Sequence, residues 1–193
     1  MKLLHFGWLA LAACATGTTE ATPPRLAPAV ASPMGIIGTA GPSGLTVVGD
    51  TPDLHFRLLL SGNHVAIGHG DGNFIVDDIE AQVSTVAARD ISPATASQSG
   101  IELLRTHARW QCARMSEALG HEVAPEEIEI LTSEKMPAAL VWSAGDLLYV
   151  TAAYDHNVVA LSVRSKAGVD LAAKAEYWMA SLSVSPYPIA SAP

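Results

Sequence analysis

The second half of the chain is a succession of strand-length apolar runs whose connections are too short to cross a sheet. EEIEILT (126–132), PAALVW (137–142), LLYVTAAY (147–154) and VVALSVR (158–164) follow one another, and only 143–146 and 155–157 separate the last three. Links of three or four residues suit hairpins, whereas parallel neighbours need a crossover of a dozen residues or more. These strands are therefore expected to lie antiparallel, each beside the next.

The upstream half carries the same signal. In LHFRLLL (54–60), Leu54, Phe56, Leu58 and Leu60 fall on one face with His55 and Arg57 opposite, the alternation of a half-buried strand. NHVAIGHG and NFIVDDIEAQVSTVA flank Asp71 and Gly72, a pair that tolerates positive φ and so marks a hairpin turn. Ile79, Ala81, Val83 and Thr85 share a face of the second arm, and Asp77 with Asp78 marks an expected bulge or break. Between these strands and the later ones lies a helical pattern. Ile101, Leu104, Ala108, Cys112, Met115 and Leu119 recur at steps of three and four, an apolar stripe that should pack on a sheet. Ser99 and Glu102 have the spacing of a capping box, and Gly120 is a C-terminal stop. A last helix is expected from Asp170 as N-cap, with Leu171, Ala175, Trp178 and Leu182 on one face. Strands, helix, strands, helix without βαβ alternation predicts an α+β fold: an antiparallel β-sheet with two amphipathic helices packed on one side, in a single domain over 45–193.

The chain starts differently. Residues 1–13 have one Lys, an apolar run from Leu3 to Ala13, and small residues ahead of Cys14, the layout of a secretory signal peptide and too short to span a bilayer as a helix. Leu11, Ala12, Ala13 and Cys14 resemble the lipobox of bacterial lipoproteins. That resemblance implies cleavage before Cys14, diacylation of its thiol and acylation of the new amino terminus. Three acyl chains exceed the two signals that stable anchoring needs. In proteobacterial lipoproteins an aspartate directly after the cysteine favours retention in the inner membrane; Ala15 stands there, which implies an outer-membrane anchor facing the periplasm. Residues 15–44 are rich in Ala, Thr, Pro, Gly and Ser with almost no charge, so 14–44 is expected to be a flexible linker after the lipidated cysteine. Local packing through Met34, Ile36 and Ile37 is the alternative. In its last half, two strands followed by a helix ending in WMASLSV, the chain faintly resembles the Mog1/PsbP-like fold found in several bacterial envelope lipoproteins.

The charge balance excludes one large class of partner. With 11 Lys and Arg against 19 Asp and Glu the net charge is -8, unsuited to displacing counterions from a phosphate backbone, so no nucleic-acid partner is expected. There are two cysteines; with Cys14 acylated, Cys112 has no disulfide partner and reads as a small buried hydrophobe on the helix stripe.

Catalytic signatures are sparse. HExxH, GxSxG, CxxC and a Walker loop do not occur. His64, His69, Asp71, Asp77 and Asp78 lie close in sequence, and two imidazoles with a carboxylate could hold a metal and leave a position open for water. Strand alternation opposes this, since positions 64 and 69 point to opposite faces unless a glycine bulge re-aims one. Asp155 and His156 fall at a turn with no nucleophile beside them. No metal and no cofactor are therefore expected.

A second stripe on the long helix, Leu103, His107, Trp110 and Arg114, lies away from the core stripe at 100° per residue. An outward Trp beside Leu and Arg has the composition of a binding hot spot. The sequence thus points to an envelope-anchored, non-enzymatic lipoprotein whose small periplasmic domain binds a protein partner through that stripe, as an immunity-type inhibitor or an envelope assembly factor. A periplasmic metal-assisted hydrolase using His64, His69 and Asp71 is the alternative.

Overall fold

The computed structural model describes residues 30–31, 35–51, 54–67, 72–134, 136, 138–165 and 170–185. The leader, Cys14, His69 and Asp71 lie outside the described residues. Strands β1 (Val30–Ala31), β2 (Ile36–Gly41), β3 (Gly44–Asp50), β4 (His55–Ser61), β5 (Val65–Ile67), β6 (Asn73–Val76) and β7 (Ile79–Ala87) come first. A short helix α1 (Ala88–Ile91), a 3-10 turn (Pro93–Thr95) and the long helix α2 (Gly100–Leu119) follow. Strands β8 (Glu126–Leu131), β9 (Ala139–Ala144), β10 (Leu147–Tyr154) and β11 (Asn157–Ser165) precede α3 (Leu171–Met179) and β12 (Ser183–Ser185).

The class is α+β, and the strands form two antiparallel sheets rather than one. The first runs β1-β2-β3-β4-β12 and the second β5-β6-β7-β11-β10-β9-β8. The expected hairpins hold: β9 pairs β10 and β10 pairs β11, with Ala144 opposite Leu147 and Tyr154 opposite Asn157. The expectation that both helices share one side does not. Helix α2 packs on β9 and β10, whereas α3 packs on β10, β11 and β4, and the two helices join different apolar clusters. Alternate residues of β10 explain this. Val150 and Ala152 face the cluster of α3 and the first sheet, while Tyr149 and Ala153 face the cluster of α2. A strand covered on both faces is apolar throughout, which is why LLYVTAAY shows no alternation. The buried Thr151 hydroxyl donates to the Leu140 carbonyl at 3.2 Å.

The expected linker is shorter than 14–44, because β1, β2 and the start of β3 fall within it and Ile36 is 1% exposed. Of the residues named for local packing, Met34 lies outside the described residues, Ile36 is in the core and Ile37 is half-buried. Gly38, which read as linker composition, serves close packing instead, as does Gly49 in β3. A Cβ on Gly38 would stand 2.4 Å from the Phe74 ring, and one on Gly49 would stand 1.9 Å from the ring of Phe56, its cross-strand partner.

Of the expected bulge or break at Asp77 and Asp78, the structure has the break: the two residues form a tight turn between β6 and β7. Both have positive φ, +49° and +65°, and they join β6 to β7 with Val76 opposite Ile79. A two-residue loop of this hand matches the strand twist, and Asp tolerates it. At the start of α2 the capping box does not form: the Ser99 side chain makes no cap hydrogen bond, and Glu102 accepts from Gln98 Nε2 at 3.3 Å. The helix stops at Gly120, φ +74°, as expected. Asp170 caps α3, its Oδ1 accepting from the Ala173 N–H at 3.1 Å. Trp178 is fully buried and donates from Nε1 to the Ser61 carbonyl at 2.9 Å, fastening α3 to the first sheet. Among the described residues no helix is long and apolar enough to cross a membrane.

Candidate protein-binding surface

Two of the four residues expected to form an outward stripe on α2 are core. Leu103 is 0% exposed and His107 is 2% exposed. The covering element is the segment between β7 and α2. Helix α1 contacts α2, and Ala88 and Ile91 join the apolar cluster that holds Leu103 and Leu104. Thr95 braces this segment: its hydroxyl donates to the Ala88 carbonyl at 2.6 Å, and its oxygen accepts from the Ser92 N–H at 3.2 Å. A helical wheel carries no information about such a cover, so the expected surface fails at Leu103 and His107. Burial also holds the His107 imidazole neutral, lowering its pKa to about 4, and Nδ1 has no hydrogen-bond partner. Trp110 is half-buried and lies against His107 with ring centroids 5.8 Å apart, and the Arg114 guanidinium lies 4.8 Å from the Trp110 centroid. The outward part of the stripe reduces to Trp110 and Arg114. Cys112 is buried, as expected of its place on the inner stripe, and burial pushes its thiol pKa up.

Of the residues considered for a metal site, His64, Asp77 and Asp78 are described. Asp77 is occupied structurally. Its Oδ1 accepts from the His64 N–H at 3.0 Å and the Asn63 N–H at 2.9 Å, while its own N–H donates to the His64 carbonyl at 2.9 Å. The His64 amide first, and the Asn63 amide with it, lower the Asp77 pKa. The carboxylate thereby ties the loop before β5 to the β6–β7 turn. Among the described residues no three of His, Cys, Asp and Glu converge on a point that could hold a metal ion.

The surface that stands out is an edge. β8 is the outermost strand of the seven-stranded sheet, six residues long. The other sheet edges, β1, β5 and β12, are two or three residues long. Short edges are a common protection against unwanted pairing, and β8 lacks it. Five of its six residues are exposed, including Ile128 at 53% and Ile130 at 48%, and only Leu131 packs on the core. A bulge breaks the register with β9, so that Glu127 faces Trp142, Glu129 faces Val141 and Ile128 is extra. The strand's composition was legible; its edge position and the exposure of both isoleucines depend on the order of strands.

Three of the six residues of β8 are glutamates. Glu127 is paired with Arg105 of α2 through Nε to Oε1 at 2.9 Å and Nη2 to Oε2 at 3.1 Å. Glu126 and Glu129 have no cation partner among the described residues. On the α3 side Glu129 approaches Glu176, whose pKa is raised by partial burial first and by the charges of Glu129 and Asp170 after it. The arrangement offers open backbone groups, two uncovered isoleucines and uncompensated negative charge on one strand. Comparison with known protein families, with curated proteins and with solved structures finds no match to this chain.

Proposed function

We infer that the chain is an envelope lipoprotein, anchored at the outer membrane through lipid on Cys14 and facing the periplasm, whose domain binds a protein partner by the β8 edge. The observation that carries this is the exposure of Ile128 and Ile130 on β8, the one long sheet edge among the described residues. Large apolar side chains grouped on an open surface mark an interaction site more often than isolated ones do. The partner is of the immunity-target or envelope-assembly kind, and the domain acts by occupying it rather than by chemistry. Cys14 supplies the tether.

Two measurements test this. Labelled palmitate should enter the wild-type chain and not the Cys14→Ser variant. In detergent extracts of envelopes, the full-length wild type should retain a partner that Ile128→Glu/Ile130→Glu loses while keeping its circular dichroism and thermal midpoint. Equal retention by that variant contradicts the assignment of the surface, and equal palmitate incorporation contradicts the anchor.

A further inference from the structure

We propose that the partner contributes an extended segment that adds as an eighth strand beside β8, and that this segment interleaves Lys or Arg with apolar residues. The inference rests on the partner-binding reading and specifies its chemistry. Strand addition uses the unpaired N–H and C=O groups of an edge for affinity and the side chains flanking it for selectivity. β8 offers six residues for this, about 20 Å at roughly 3.4 Å per residue, whereas the other edges offer three or fewer.

The side chains select the occupant. Apolar residues of an added strand would cover Ile128 and Ile130, 53% and 48% exposed. Cations on it would meet Glu126 and Glu129, and those on the α3 side would relieve the repulsion between Glu129 and Glu176. A second copy of the chain is the poorer occupant. Two β8 strands side by side set glutamates against glutamates, and like charges opposite one another destabilise a strand pair. The acidic edge thus disfavours self-association and favours a basic strand, the use of repulsion that specificity requires.

The test uses the full chain and three fluorescein-labelled nine-residue peptides: alternating Lys and Val, alternating Glu and Val, and the Lys/Val composition in two blocks. The alternating Lys–Val peptide should bind at least about ten-fold tighter than either comparator by anisotropy and weaken as salt rises. It should also slow amide hydrogen exchange within 126–131, which side-chain attraction alone does not do. Glu126→Lys/Glu129→Lys should lose about ten-fold for that peptide and gain for the Glu–Val peptide, and Glu126→Gln/Glu129→Gln should lose the salt dependence. Equal binding of the block peptide, unchanged exchange in 126–131, or no binding of the alternating peptide each overturns strand addition. If envelope capture still depends on Ile128 and Ile130 in that case, the partner-binding reading stands and only its mode falls.

Discussion

Arg105 holds Glu127 through two parallel hydrogen bonds, and this pair joins α2 to the outermost strand of the seven-stranded sheet. Both side chains reach solvent, 42% and 43% exposed, so the pair positions the strand rather than stabilising the whole fold. Arg105→Ala should move the thermal midpoint by no more than about 2 °C. Amide exchange in 126–131 should nevertheless accelerate, because α2 no longer restrains the edge. A midpoint change several times larger, with unchanged exchange in β8, would show that the pair supports the core instead.

His107 gives the domain a specific response to acid. The unfolded chain takes up a proton at this imidazole near pH 6.5, while burial delays uptake in the folded chain to about 4. Between those values the unfolded state binds more protons, so acid favours unfolding. Stability should fall below about pH 6.5 by about 1.4 kcal/mol per unit, levelling off near pH 4 after a loss of about 3 kcal/mol. His107→Leu should make the dependence of the urea midpoint on pH shallower over that window. An identical slope in the variant would assign the acid response to other groups.

Gly49 faces Phe56 across β3 and β4, and a Cβ there would enter the ring's space at 1.9 Å. Gly49→Ala should destabilise by about 1–3 kcal/mol through displacement of a buried ring. Gly49→Ala/Phe56→Leu should cost less than the sum of the two single changes, since the smaller side chain makes room for the methyl group. Urea unfolding of the four proteins closes the cycle, and strict additivity would rule out the contact as the reason for the glycine.

That pair also shows what could be read from the residues alone. Alternation identified LHFRLLL, and the short links identified the β9–β10–β11 meander, because both are local consequences of side-chain spacing. The Asp170 cap and the Gly120 stop were legible for the same reason. The glycines of 36–44 were misread as linker composition because the Phe74 ring packed against Gly38 comes from a distant strand. Leu103 and His107 lie inward although the helical wheel places them outward: both are buried, Leu103 in one cluster with Ala88 and Ile91 of α1, and α1 has no signature that points at α2. Continuous apolar runs in β10 and β11 hinted that both faces are covered, yet which helix takes which face depends on tertiary order. The β8 edge was hidden likewise: EEIEILT is recognisable as a strand, but nothing in it reports that no strand follows on its far side.

The central claim is that a protein partner contacts β8 and not the outer face of α2. Photo-crosslinking in intact envelopes tests it most directly, with p-benzoylphenylalanine replacing Ile130 in one variant and Trp110 in another. Ile130, 48% exposed on the open edge, should yield one discrete adduct to another protein, and that adduct should vanish in the Glu126→Lys/Glu129→Lys background. Trp110, half-buried between His107 and Arg114, should yield none. An adduct from position 110 with none from position 130 would contradict the account.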